Sequence, residues 1–177
     1  MDLPTDLRAI LDECGHYSVD DANFALYALT DLEEADLQTI CAFIRRTFIQ
    51  DILQIPESEV DEFIFPAPGW RSLTQKNFGE LVEYHIKYLD KGWRDCDGSN
   101  KGEVQWYPFG FVIATSKDWQ SDGLILVHCE YDSQSDVFKA ESCCMQAKDL
   151  GLSLTSLRSV DDYFENLRSQ FEYKTIS

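Results

Sequence analysis

The chain has 177 residues, 13% of them aromatic, and a net charge of −17 from 32 acidic and 15 basic side chains. A chain of this length buries roughly 70% of its unfolded surface, so it needs no disulfide or metal to be stable, and its composition excludes intrinsic disorder. The acidic charge excludes direct binding to nucleic acid or to anionic membranes. It favours either a simply solvated surface or one complementary to a basic partner.

The first 50 residues have the hydrophobic spacing of helices. A first helix is predicted from Thr5 to Gly15, and a second from Asp20 to Leu29, where apolar residues recur at helical intervals. Thr30–Glu33 begins a third, longer helix that ends near Phe48. Much of the acidity of this region falls in the first turns of these helices, where the helix dipole favours it. The acidic residues here therefore have a structural explanation that competes with a binding face.

The middle of the chain mixes short elements. Ile55-Pro56 interrupts the helical pattern, Glu62–Phe65 is predicted as a short strand, and a turn follows it. A fourth helix is predicted from Ser72 to Leu89. His85 lies on its apolar face, where we expect a core histidine that is hydrogen-bonded to backbone rather than a metal ligand.

Residues 106–138 have the composition of a sheet centre. Two apolar runs, Phe109–Ala114 and Gly123–Cys129, are separated by a polar segment, and Val137-Phe138 follows a second polar turn. We predict three short antiparallel strands joined by acidic loops. Residues 139–158 favour no single structure, and Ser159–Asp162 has the pattern of a cap for a last helix.

No repeat, low-complexity segment or linker divides the chain. We therefore predict one α+β domain over residues 1–177, with a helical N-terminal portion (1–50) and a sheet-containing portion (61–177). The sheet is expected to be central, mostly antiparallel and flanked by helices.

The cysteines and the N-terminus indicate a cytoplasmic protein. The six cysteines include no CxxC pair, and Cys14, Cys41 and Cys129 fall on apolar helix faces or at the end of an apolar strand. The first residues lack a signal-peptide core, and no apolar run approaches the ~18 residues of a membrane span.

Two stretches invite a metal site and fail its requirements. A calcium-loop reading of residues 95–103 puts Asn100 where glycine belongs and Trp106 where the bidentate glutamate belongs. His128, Cys129 and Glu130 are contiguous in a strand, so Cys129 points away from the other two. We expect no metal and no cofactor.

No catalytic motif is present. The chain contains no GxSxG, Walker or GxGxxG sequence, and its carboxylates are too numerous to single out a general acid and base. We expect a protein that is not an enzyme, with a hydrolase that uses an unrecognised carboxylate site as the less favoured alternative.

Acidic and aromatic residues cluster in the loops of the predicted sheet. These candidate partner-binding residues are Asp118, Trp119, Asp122, Glu130, Tyr131, Asp132 and Asp136. Aromatic rings flanked by carboxylates can anchor a basic partner, with the acids steering the encounter. The alternative is that Trp119 and Tyr131 fold back onto their own core.

The C-terminal part of the chain resembles the SUKH superfamily, which includes bacterial immunity proteins and related eukaryotic regulators. Tyr-Pro-Phe-Gly (107–110) begins a strand, and the strands at 122–127 and 137–138 and a helix at 157–167 follow in the family's order. Asp122-Gly123 matches its second strand. Ser159, Tyr163 and Leu167 match its closing pattern S-x-x-x-[FY]-x-x-x-L.

The resemblance implies an α+β fold and a non-enzymatic role. Its immunity proteins bind and neutralise a cognate toxin, often a nuclease with a basic cleft, delivered by neighbouring bacteria. The expected partner is therefore a protein with a basic surface, met through the acidic loops. A regulatory or scaffold domain that binds a host protein is the alternative.

Overall fold

The computed structural model describes residues 1–14, 19, 21–60, 62–89, 104–132 and 137–159. The helices are α1 (Thr5–Cys14), α2 (Glu34–Phe48), α3 (Phe78–Tyr84), α4 (Trp119–Asp122) and α5 (Ala147–Ser159). The strands are β1 (Asn23–Ala28), β2 (Ile64–Pro66), β3 (Trp106–Ala114), β4 (Leu124–Asp132) and β5 (Val137–Met145). Helices α2 and α3 continue as π-helical turns over Ile49–Leu53 and His85–Leu89, and Glu57–Glu59 and Trp70–Leu73 are 3₁₀ turns.

The strands form one mixed sheet in the order β2-β1-β3-β4-β5. Strand β1 runs parallel to both β2 and β3, whereas β3, β4 and β5 are antiparallel neighbours. The predicted α+β class is confirmed, and the predicted antiparallel strands of residues 106–138 are β3, β4 and the start of β5. The parallel half of the sheet comes from upstream residues.

The predicted second helix, Asp20 to Leu29, is wrong, because Asn23–Ala28 forms β1. This strand lies between β2 and β3, and Phe24–Ala28 are all buried, so it is covered on both faces. A strand buried on both faces shows a continuous apolar run instead of alternation. Its Ala25 and Leu26, together with Ala22 and Leu29 beside it, then match helical spacing equally well, and tertiary context overrides local propensity. One strand therefore lies inside the portion 1–50 that we expected to be helical.

The other predicted elements are found with shifted limits. The first and third helices are α1 and α2, and the short strand at 62–65 is β2. The fourth helix begins later than predicted, since Asn77 caps α3 and accepts a hydrogen bond from the Glu80 N–H at 2.9 Å. Residues 139–158 divide between β5 and α5. The predicted last helix lies outside the described residues, except that Ser159 is the final residue of α5.

Helices cover both faces of the sheet. Helices α2 and α5 pack against each other on one face, with Gly151 of α5 against Phe48 of α2. On the other face lie α1 and α3 with its π-helical turn, which is where Tyr27 of β1 meets His85. None of the described helices combines the length and the apolar character needed to cross a membrane.

Candidate protein-binding surface

The loops after β1 and β3 meet at one end of the sheet. Because these strands are parallel, their carboxyl ends lie side by side, and the Leu29 N–H donates to the Ala114 carbonyl at 2.9 Å. Beyond this bond, Lys117 Nζ lies 3.8 Å from Asp31 Oδ2, so the two loops also touch through their side chains. Strand β4 begins at the same end, about 10 Å from β1 across the sheet.

Six exposed carboxylates line this end of the sheet, and we call them the acidic rim. They are Asp31, Glu33, Glu34, Asp36, Asp118 and Asp122. Their described ion-pair partners are Lys117 beside Asp31 and Arg71, whose Nη2 lies 3.2 Å from Glu33 Oε2. The Asp31 side chain is 96% exposed and that of Glu33 is 74% exposed. The rim therefore keeps a net negative charge, and its exposed carboxylates are accessible to a partner.

Three of these carboxylates form hydrogen bonds within the fold. Glu33 and Asp36 form a capping box at the start of α2, in which Asp36 Oδ2 accepts from the Glu33 N–H at 2.8 Å. Glu34 Oε2 accepts from Trp70 Nε1 at 2.9 Å. The structural explanation that the sequence suggested for the N-terminal acids therefore applies to these three. Among the contacts of the described residues, the side-chain oxygens of Asp31, Asp118 and Asp122 accept no hydrogen bond.

Trp119 belongs to the core. Its side chain is only 7% exposed, and its ring packs edge-on against Phe43 of α2 with 5.2 Å between centroids. The short helix α4 thereby closes over α2, leaving an open groove of about 510 Å³ beside Thr39, Lys117 and Ser121. The fold-back alternative holds for this tryptophan, so its ring is not available to anchor a partner.

Glu130, Tyr131 and Asp132 lie at the opposite end of the sheet. Glu130 is half-buried near the end of β4, and Tyr131 and Asp132 are its last residues. Nine strand residues at about 3.3 Å each put Asp132 roughly 26 Å from the start of β4 beside Asp122. Asp136 lies outside the described residues. The structure thus divides the described candidate residues into two separate groups, of which the first joins the exposed acids that follow β1.

His85 is a satisfied core histidine, as the sequence predicted. Its Nε2 lies 2.9 Å from the Tyr107 carbonyl oxygen and its Nδ1 lies 3.0 Å from the Tyr27 hydroxyl. The carbonyl can only accept, so Nε2 carries the proton and Nδ1 accepts from Tyr27. Burial lowers the pKa of His85 to about 4. A neutral imidazole with both nitrogens engaged is not placed to bind a metal or move a proton.

The buried thiols of Cys41 and Cys129 are poor nucleophiles. Cys14, Cys41 and Cys129 are buried as expected, and burial raises the pKa of the Cys129 thiol to about 12. Burial also raises the pKa of Cys41 well above its ordinary value. Both thiols are therefore protonated at neutral pH, whereas nucleophilic or metal-binding cysteines act as thiolates.

Within the described ranges, no three His, Cys, Asp or Glu side chains are grouped so that they could hold a metal ion. His128 and Glu130 are half-buried while Cys129 between them is buried, which agrees with the predicted alternation along the strand. The stretch 95–103, which resembles a calcium loop in part, lies outside the described residues.

Asp31 and Glu33 lie on the candidate surface but were not among the residues predicted from the sequence. The reason is that β1 was predicted as a helix, so the sequence did not reveal that a strand ends at Ala28 beside the end of β3. The signal that could have found them is the pattern of an apolar run followed by Thr-Asp-Leu-Glu, which is equally the start of a loop and helix after a buried strand.

Comparison of the chain with protein-family models, with curated proteins and with solved structures finds no match.

Proposed function

We propose that this chain is a non-enzymatic inhibitor that binds and neutralises a basic protein partner through the acidic rim. The observation that carries the proposal is the convergence of Asp31, Glu33, Asp118 and Asp122 at one end of the sheet, where the described ion-pair partners are Lys117 and Arg71. The overall charge of −17 adds a long-range field of the same sign.

Electrostatics of this kind act mainly on how fast and how selectively partners meet. A concentrated negative surface steers a basic partner into register and raises the association rate toward 10⁸ M⁻¹s⁻¹ or so at low salt. The same surface repels nucleic acid and anionic lipid. A protein with a basic substrate cleft therefore fits the rim better than either of these ligands.

The finer identity of the partner comes from the resemblance to the SUKH immunity proteins. That resemblance implies a toxin, with a nuclease domain as the best candidate because its substrate-binding cleft is basic. The order of β3, β4 and β5 and the α+β fold are compatible with it. An immunity protein of this kind would meet its toxin in the cytoplasm.

The test is affinity capture with the tagged full chain in cells of its source, followed by a nuclease assay of whatever basic protein is retained. We expect a retained toxin whose nuclease activity the chain abolishes at equimolar concentration. We expect the association rate to fall at least tenfold between 50 and 500 mM salt, because screening shortens the reach of the rim.

Charge reversal locates the contact. Asp31→Lys combined with Asp118→Lys should slow association strongly, whereas the matched Glu130→Lys with Asp132→Lys at the other end of the sheet should change it little. If neither pair of substitutions nor salt alters binding, the acidic rim is not the contact surface. A retained partner that is bound but not inhibited would favour a regulatory or scaffold role.

A further inference from the structure

A surface that only steers a partner does not hold it. Stable contacts are dominated by a few side chains seated in pockets, surrounded by contacts of little energy. At the rim, the Trp119 ring is buried against Phe43, and the other residues that line the open groove beside it are polar or charged. A concave site with the properties of an anchor lies further along α2, at the edge of the sheet.

This site is a groove of about 370 Å³ between α2 and the edge strand β2. Cys41 and Ala42 of α2 and Ile64, Phe65 and Pro66 of β2 form its apolar walls. Phe65 is half-buried, with its ring 6.5 Å from that of Trp106, so the wall that it contributes is held in place by the core. The volume suits one long side chain.

The carboxylates of Glu57 and Glu62 border the groove. Both lie near Arg45, but neither forms a close hydrogen bond with it. Arg45 Nη1 lies 3.6 Å from an oxygen of each, beyond the 2.7–2.9 Å typical of a charge-assisted hydrogen bond. Its Nη2 instead donates to the backbone carbonyls of Glu57 and Val60. Among the contacts of the described residues, neither carboxylate accepts a hydrogen bond. Both therefore keep acceptor sites for a further donor, and Arg45, which also lines the groove, offsets only one of their two charges.

The edge strand itself cannot recruit a partner strand. Pro66 has no N–H to offer, and Ile64, whose backbone faces away from β1, is only 3% exposed. An extended segment that added to β2 would find few hydrogen-bonding groups within reach. A partner must use the groove through a side chain rather than through its backbone.

We propose that the groove between α2 and β2 binds an arginine side chain of a protein partner. The aliphatic stem would lie along the walls at Ala42 and Pro66, since arginine readily buries its methylene groups. The planar guanidinium would reach the two carboxylates at once and stack on the exposed part of the Phe65 ring. A lysine ammonium, a point charge without a planar face, would fit this arrangement less well.

The inference rests on the proposed function only for the identity of the partner. In that case the rim would steer the partner and the groove would hold one of its side chains. Its own test needs no partner. Failure of the groove would leave the rim experiment untouched, and failure of the rim experiment would leave the groove as a binding site for another protein.

The experiment is an NMR titration of the full chain with Nα-acetyl-arginine amide. A ligand of this size should bind with a Kd on the order of millimolar, with the largest shifts at the amides of Ala42, Ile64 and Phe65. The citrulline analogue has the same shape without the charge and should bind much more weakly, and the lysine analogue should fall between them.

Variants assign the site. Glu57→Gln with Glu62→Gln should weaken binding roughly fivefold, as two exposed ion pairs of modest strength would. Ala42→Arg, at an exposed position, should fill the groove with its own side chain and remove the shifts. The matched rim variant, Asp31→Asn with Asp118→Asn, should leave the affinity at the groove unchanged.

Two results would overturn the proposal. One is equal binding of the arginine and citrulline analogues, which would make the charge irrelevant. The other is a shift pattern centred on the rim and unaltered by the substitutions at Glu57, Glu62 and Ala42. Thermal unfolding of each variant, compared with the parent chain, checks that any loss of binding is not a loss of fold.

Discussion

The Tyr27 hydroxyl donates a 3.0 Å hydrogen bond to Nδ1 of His85, and this bond joins β1 to the π-helical turn packed over it. The other ring nitrogen reaches the Tyr107 carbonyl, and the Tyr107 hydroxyl in turn donates to the Leu157 carbonyl in α5 on the opposite face of the sheet. The three layers of the fold are thus connected through one buried polar chain. Such chains stabilise a fold only while every member is satisfied.

The first prediction follows from the neutral state of His85. Burial lowers its pKa from 6.5 to about 4, so between these values the unfolded chain binds a proton that the folded chain does not. Stability must therefore fall as the pH drops from 7 to 4, by about 3 kcal/mol from this group alone. Denaturant unfolding at several pH values measures this, and the stability difference between the parent chain and His85→Gln should shrink as the pH falls.

Tyr27→Phe is the control for that experiment. It removes the hydrogen bond and leaves the burial, which is the main cause of the lowered pKa. We expect a loss of about 1 kcal/mol that stays the same across the pH range. Parallel stability curves for the parent chain and His85→Gln between pH 4 and 7 would contradict a buried neutral histidine.

The second prediction concerns the contact between α2 and α5. A Cβ added at Gly151 would lie 2.4 Å from Phe48 Cβ and 3.0 Å from the Ile44 carbonyl oxygen, and neither atom can move without shifting a helix. Gly151→Ala should therefore destabilise the fold by about 2 kcal/mol or more, despite the better helix propensity of alanine. The free energy of unfolding in urea measures the effect.

Gly79 in the first turn of α3 is the matched control. A Cβ there would meet its nearest neighbours at ordinary contact distances of 3.4 and 3.5 Å. Gly79→Ala should be neutral or stabilising by up to about 1 kcal/mol, because alanine restricts the unfolded chain. If both substitutions changed stability in the same direction, the close approach of α2 and α5 would not be the cause.

How far the sequence could predict the fold depends on where each segment lies in it. The strands β3 and β4 were predictable because polar turns bound their apolar runs on both sides. Helix α2 was predictable because only one of its faces is buried, so its apolar residues form a stripe at helical spacing. Strand β1 was not, since Phe24–Ala28 are buried on both faces and so carry no period that separates strand from helix. Its pairing with β2 and β3, which are distant in the sequence, makes this segment a strand rather than a helix.

The candidate surface was predictable only in part for the same reason. Asp118 and Asp122 were found because they lie between two recognised strands. Asp31 joins them through the parallel pairing of β1 with β3, which no local pattern records. The groove beside Arg45 depends on how a three-residue edge strand meets a helix, so neither its shape nor its charges can be read from neighbouring residues in the sequence.

The third prediction concerns the loop that contains α4, in which Trp119 packs in the core and Asp118 is exposed on the rim. Trp119→Ala removes a buried ring that packs on Phe43 and should destabilise the fold by about 3 kcal/mol. Asp118→Asn changes an exposed neighbour and should stay within about 0.5 kcal/mol of the parent chain. Denaturant unfolding of both variants is the measurement. A small effect of Trp119→Ala would mean that this ring is exposed in solution and is available to a partner after all.

The last prediction concerns Arg45, whose Nη2 donates to the Glu57 and Val60 carbonyls and so fastens the 3₁₀ turn to α2. Arg45→Met keeps most of the apolar stem and removes both bonds. Because hydrogen bonds to a charged donor are stronger than neutral ones, we expect a loss of about 2 kcal/mol and faster amide exchange over residues 57–60. Arg46→Met, at the next and exposed position of α2, should do neither. Hydrogen exchange of the two variants distinguishes the outcomes: equal protection of residues 57–60 in both would show that the turn holds its conformation without the Arg45 guanidinium.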